Sequence, residues 1–230
     1  NDRFAGDHLT FVRAEFYGGR GWGTDFPNAD FNFTWRLHQL TSMAVKPDPD
    51  HMPLTDPRLP AHPFILMVDP RSVYFDEAEA EALRNYLLNG GFLMIDDFWG
   101  DRMWEHIYDQ MKRVLPGREP VTLTDDHPIF SAVFPLPGAP QVPSEDSAHA
   151  TMNAEGLYRT WEYEIRETPQ PAQFRAYLDD HGRIMALICW NTDITDGWEE
   201  EGVSQWFFEN FSEKYSYPIG INILFYTMTH

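Results

Sequence analysis

The stretch from Leu83 to Gly100, LRNYLLNGGFLMIDDFWG, limits the architecture more than any other part of the chain. A helix-period run (Leu83, Tyr86, Leu87) stops at Gly90-Gly91, an unbroken apolar run follows from Phe92 to Ile95, and two carboxylates, Asp96 and Asp97, stand where it ends. A strand that is apolar without alternation must be covered on both faces, and such strands belong to parallel sheets, which hold ligands at their carboxyl ends. The spacing therefore predicts a helix feeding a buried parallel strand, with a site near Asp96 and Asp97.

The same logic extends along the chain. His8 to Phe16 alternates and reads as a first strand, followed by a glycine-rich loop, Tyr17 to Asp30, too long for a simple turn. Asp30 is expected to cap a helix reaching about Met43, with Phe33, Leu37 and Leu40 facing the core. Six prolines between Lys46 and Pro63 leave room for one short strand near Met52 to Leu54. Phe64 to Val68 is a second all-apolar strand, and Asp76 with Glu79 forms an acidic capping box for a helix that Gly90 ends in a left-handed residue. Asp101 is expected to cap the next helix, with Trp104, Ile107, Tyr108, Met111 and Leu115 as its apolar stripe. Three rounds of strand then helix argue for a parallel sheet with helices on both faces.

Beyond that point, Val121 to Leu123 reads as a short strand and Asp126-His127-Pro128 as a turn. Phe174 to Tyr177 and Ile184 to Trp190 read as a β-hairpin, and one short helix is expected near Trp206. Pro218 suits the first turn of a buried terminal helix, although a strand there stays open. The whole of 1–230 reads as one domain.

Acidic residues number 36 against 17 basic ones, a formal charge of -19, so phosphate backbones and anionic lipid surfaces are repelled. Nucleic acid is not an expected partner. A single cysteine, Cys189, excludes an internal disulfide and any multi-cysteine metal site. No apolar stretch reaches the roughly 18 residues of a membrane span. The chain starts at Asn1 without a methionine, as signal-peptide removal leaves it, and a trimmed chain looks the same.

In a parallel sheet the loops leaving the strand ends converge, bringing together Tyr17 to Asp30, Asp69 and Arg71, Asp96 to Trp99, and Asn191 to Asp193. Asp96, Asp97, His127 and Asp193 are the candidates for general acid or base work, and Asp96, Asp97 and Asp193 suit a hard cation. Turn chemistry alone also explains aspartates at strand ends, and the Asp193 to Gly197 spacing is not that of an EF-hand. No H-E-x-x-H, nucleophile elbow, dinucleotide fingerprint or P-loop is present, and Cys189 lies within an apolar strand. No cofactor is expected. Trp22, Trp99, Trp190 and Trp198, with Tyr17, Asp25 and Asn191, fall in or beside strand-end loops and form a candidate platform for a sugar ring or a protein partner. Packing of the loops onto the sheet is the competing explanation.

Five segments, FVRAEFYGGRGWGTDFPNADFNFTWRLHQLTS, LRNYLLNGGFLMIDDFWGD, DDHPIF, ALICWNTDITDGWE and YSYPIGINILFYTMTH, together resemble an uncharacterised bacterial family, a domain of unknown function in the class I glutamine-amidotransferase-like superfamily. The resemblance implies a three-layer flavodoxin-like fold with a mostly parallel sheet, here with a β-hairpin addition, and an extracytoplasmic setting. It implies no activity, because the segment after Ile95 reads Asp-Asp-Phe-Trp where amidotransferases carry their cysteine elbow. Two functions are expected in turn. The first is a non-catalytic binding domain, an accessory subunit of a cell-envelope or membrane-associated complex with a protein partner. The second is a carbohydrate-processing or metal-dependent hydrolase using Asp96 or Asp97, assisted by His127 or Asp193.

Overall fold

The structure is a computed structural model that describes residues 8–17 and 21–230; Gly18, Gly19 and Arg20 of the glycine-rich loop, like residues 1–7, lie outside them. Seven strands make one sheet: β1 (Val12–Glu15), β2 (Asp50–Pro53), β3 (Phe64–Val68), β4 (Phe92–Asp96), β5 (Val121–Thr122), β6 (Gln173–Leu178) and β7 (Ile184–Trp190). Their spatial order is β2-β1-β3-β4-β7-β6-β5. The first five are mutually parallel, and β6 pairs antiparallel with both β7 and β5. Counting β7 as the fifth, the parallel strands follow the flavodoxin-like order 2-1-3-4-5, with the hairpin added at one edge.

The central strands pair as their apolar runs require. Phe64 to Val68 lies in register with Phe92 to Asp96, every residue of both strands is buried, and β7 is buried throughout. One face carries α2 (Glu77–Leu88) and α3 (Gly100–Val114), whose Leu83, Leu87, Ile107 and Met111 pack on Ile65, Met67, Leu93 and Ile95. The other face carries α1 (Asn28–Leu40) and α7 (Tyr217–Thr229), whose Phe33, Leu37, Ile219 and Ile223 pack on Phe11, Leu66, Met94 and Leu187. The layers are helix, sheet, helix. Three shorter helices, α4 (Glu145–Thr151), α5 (Asp196–Glu199) and α6 (Gln205–Phe207), a π-helical segment, Phe208–Ser216, and three single 3-10 turns (Leu59–Ala61, Pro128–Phe130 and Glu200–Gly202) are the other helical elements among the described residues.

Several local expectations hold. The Asp76/Glu79 capping box forms in both directions, Gly90 has φ of 106°, and Pro218 sits in the first turn of α7, which is a helix and not a strand. Others are corrected. Asp30 does not cap α1; it lies inside the first turn, fully buried, where it holds Arg13. Leu40 is exposed, because α1 ends there and never reaches Met43. Asp101 does not cap α3, which begins one residue earlier at Gly100, and its backbone N–H is met instead by Glu167 Oε2 at 2.7 Å.

The chain reverses its winding once along this sheet, and the loops leaving neighbouring strands change face at two places. From β1 the chain crosses by α1 to β2 on one side, and from β3 by α2, on the opposite face, to β4 on the other. A second change of face separates β4, which leads to α3, from β7, which leads to α5. Loops leaving the carboxyl ends diverge at such points and open a crevice.

Candidate functional site

Three adjacent parallel strands end in the same way. The residue after β3 is Asp69, after β4 Asp97 and after β7 Asn191, with φ of 50°, 57° and 62°. Asp25, in the loop after β1, has φ of 62°. Left-handed backbone is tolerated best by asparagine and aspartate after glycine, so the chain turns sharply off each strand end on a polar side chain. Strain of this kind gathers at functional sites.

Above these ends lies a cleft of about 260 Å³. Asp25, Arg71, Asp97, Trp99, Asp193, Asp196, Glu199 and Glu200 line it, together with Ser144 to Asp146 and Glu162 to Ile165. At its acidic end, one carboxylate oxygen each from Asp25, Asp193 and Asp196 lie within 4.8 Å of one another. Two oxygens each about 2.4 Å from one hard cation are at most about twice that apart, so the separation fits a shared ion.

Each carboxylate is positioned by a separate device. Arg13, fully buried in β1, pairs with Asp30 at 2.5 Å and donates to the carbonyl of Thr24 at 2.7 Å, which fixes the backbone next to Asp25. Asp193 Oδ1 accepts from Thr195 Oγ1 and from the Asp196 N–H, both at 2.9 Å, so the turn into α5 is tied through one oxygen. Asp96 accepts the Thr195 N–H at 2.9 Å and thereby locks the β4 end to the same turn. Asn191 joins three segments: its Oδ1 accepts from Gly100 N at 2.9 Å, its Nδ2 donates to Pro171 O at 3.3 Å, and its N–H donates to Phe98 O at 3.0 Å.

The electrostatics are those of negative charge taken out of water. Burial, reinforced by the neighbouring carboxylates, raises Asp97, Asp193 and Asp196 well above the ordinary carboxylate range. Burial also lifts Asp96 to about 7. Glu199 is pushed to about 7 by burial and then by Asp25, with which it makes a carboxyl–carboxylate hydrogen bond. Arg71, held through its Nε by Asp69, is the one basic side chain among the described residues lining the cleft. Such a cluster relieves its repulsion either by keeping protons or by taking a cation.

Of the residues singled out from the sequence, Asp25, Asp97, Trp99 and Asp193 line the cleft. Asp96 lies beneath it, fully buried. His127 is elsewhere: its Nδ1 accepts from Ile129 N at 3.2 Å and its ring packs on Tyr226, so it serves a turn and not the site. The four tryptophans do not form a platform. Trp198 is fully buried and stacks on Phe33, Trp190 donates its Nε1 to Gly100 O at 3.0 Å, and Trp22 stacks on His51. Tyr17 is exposed and bridges to Tyr74 at the β1 end. Sequence reasoning missed Asp196 and Glu199. Their signal was the three-residue spacing of Asp193, Asp196 and Glu199, which places carboxylates along one turn of helix.

Fold and site together define a doubly wound α/β domain with an acidic crevice at the carboxyl ends of its parallel strands. The family described as "Domain of unknown function (DUF4159)" matches residues 8–228, and the chain belongs to it. A comparison with curated proteins finds no match. No described helix is long and apolar enough to cross a membrane.

Proposed function

We propose that the strand-end cleft is a divalent-cation site, that Asp25, Asp193 and Asp196 hold the ion, and that the domain uses it for metal-assisted hydrolysis of a bound ligand. The observation carrying this reading is the meeting of three carboxylate oxygens from two separate loops within 4.8 Å, two of the three residues being almost wholly buried. A hard cation prefers such all-oxygen ligation and lowers the pKa of the water it binds. With an ion on Asp25, Glu199, which lines the same cleft, would give up the proton it shares with that carboxylate and would then serve as base toward the water. Calorimetric titration with Mg²⁺ and Ca²⁺ tests the reading: one ion binds the native chain, and Asp193→Asn with Asp196→Asn abolishes binding while the circular dichroism spectrum is kept. Absence of binding to the native chain sinks it.

A second reading, an accessory domain that docks on a protein partner in an extracytoplasmic assembly, draws on a different surface. Trp35 is 59% exposed and Phe31, one turn earlier on α1, is 41% exposed, an aromatic pair of the kind that anchors interfaces. A cross-linked native partner lost in Phe31→Ala with Trp35→Ala supports it; a partner retained by that variant removes it. Membership of the glutamine-amidotransferase-like superfamily is supported by the strand order and by a sharp turn after β4, where this chain has Asp97 in place of a cysteine.

A further inference from the structure

The walls of the cleft offer many acceptors and few donors, and almost every donor is already engaged. Thr24 Oγ1 donates to Gly21 O, Ser144 Oγ to Glu162, and Tyr163 Oη to Glu164. Two donors remain. Arg71 spends its Nε on Asp69, which holds the guanidinium in place, while its two Nη groups make no hydrogen bond among the described residues. Trp99 is 3% exposed and lines the cleft, and its Nε1–H is buried without an acceptor. A buried donor left unmet costs free energy, and an open guanidinium fork matches two oxygens of a planar or tetrahedral oxyanion.

We infer that the ligand of this cleft carries an oxyanion group, phosphate or carboxylate, that bridges the bound cation and the free Nη edge of Arg71, with Trp99 Nε1 donating to the same group. The inference rests on the cation reading above. An amine would meet acceptors but leave both donors unmet, and a neutral sugar would meet the guanidinium with hydroxyl oxygens but without the charge and the paired geometry of an oxyanion. An anion alone would be repelled by the acidic walls. Once an ion sits on Asp25, Asp193 and Asp196, the anion has a positive charge on either side of it.

The experiment is calorimetric titration of the full chain with Mg²⁺, then of the Mg²⁺-loaded chain with inorganic phosphate and, separately, acetate. At least one anion should bind the loaded protein, and the tighter of the two identifies phosphoryl or carboxyl chemistry. Arg71→Gln should weaken that anion by at least about tenfold, and Trp99→Phe by a few-fold, while Mg²⁺ still binds both variants at least as tightly as the native chain. Arg71→Lys, which keeps the charge and loses the fork, should fall between Arg71→Gln and the native chain. If the loaded protein takes neither anion, or if Arg71→Gln binds it as tightly as the native chain, the inference fails while the cation site stands. If Mg²⁺ itself does not bind, both fail.

Discussion

Arg13 and Asp30 show how a single buried pair links stability to the site. Both side chains are fully buried and bond at 2.5 Å, and the same guanidinium holds the Thr24 carbonyl beside Asp25. Removing one partner of a buried pair leaves the other charge stranded, which costs about 3–5 kcal/mol, whereas replacing both with apolar groups is often neutral. Arg13→Met should therefore lose about that much in urea unfolding, and Arg13→Met with Asp30→Leu should recover most of it. The double variant should still bind Mg²⁺ more weakly than the native chain, because the Thr24 carbonyl beside Asp25 then loses its guanidinium donor. Titration carries a second prediction. Asp96 and Glu199 stand at about 7 in the folded chain, above the 3.8 and 4.5 of ordinary side chains, so the folded state binds protons more tightly than the unfolded state between those values. Their contribution is full in acid below about pH 4 and is lost as pH rises through 7. Asp56 and Asp179 shift the other way, but both are paired with surface arginines and their window lies below about pH 4; His62 and His127, lowered by burial, oppose the fall only up to about pH 6.5 and are themselves partly exposed. In a chelating buffer Tm should fall from pH 5 to pH 8, and Mg²⁺ should flatten that fall because it binds the ionised carboxylates.

Among the elements, α7 is fitted to its neighbours by a glycine. A Cβ on Gly220 would lie 2.5 Å from Trp198 Cζ2 and 2.6 Å from Phe33 Cε2, two stacked and buried rings with no free direction to move. Gly220→Ala should cost about 1–3 kcal/mol, measured by thermal unfolding, despite its favourable helix propensity. The sequence marks this helix by Pro218 and its apolar residues, but the need for glycine arises from the partner rings, which sit on α1 and α5. Central strands were readable for the opposite reason: Phe64 to Val68 and Phe92 to Ile95 are apolar at every position, a pattern set by burial on both faces. The Phe208–Ser216 segment was not readable as a π-helix. Its FENFSEKYS is mostly polar and mixed in period, and its form depends on contacts such as the Ser216 carbonyl accepting Trp198 Nε1 at 2.9 Å. The candidate site divides similarly. Asp97 and Asp193 follow from where strands end, while Asp196 and Glu199 depend on a short helix packing under the β1 loop, and only tertiary contact supplies that.

As a whole the molecule has a formal net charge of -19 at neutral pH, and a dense group of its carboxyl groups lies at one end of the sheet. Diffuse repulsion is screened by any salt, whereas a specific ion acts by mass action on the folded state alone. Mg²⁺ should thus raise Tm more than Na⁺ at equal ionic strength, by about 2.7 kcal/mol of stability at one hundred times Kd, and Asp196→Asn should make the two salts equivalent. The sealed interior of the sheet has a practical result of its own. Cys189 is the sole thiol and is fully buried near the carboxyl end of β7, where burial also raises its pKa well above the ordinary thiol value. A thiol reagent can reach that sulfur only when the sheet itself comes apart. The labelling rate of the native chain therefore clocks global opening, and a cysteine placed anywhere on the surface can be tagged without first removing the resident one.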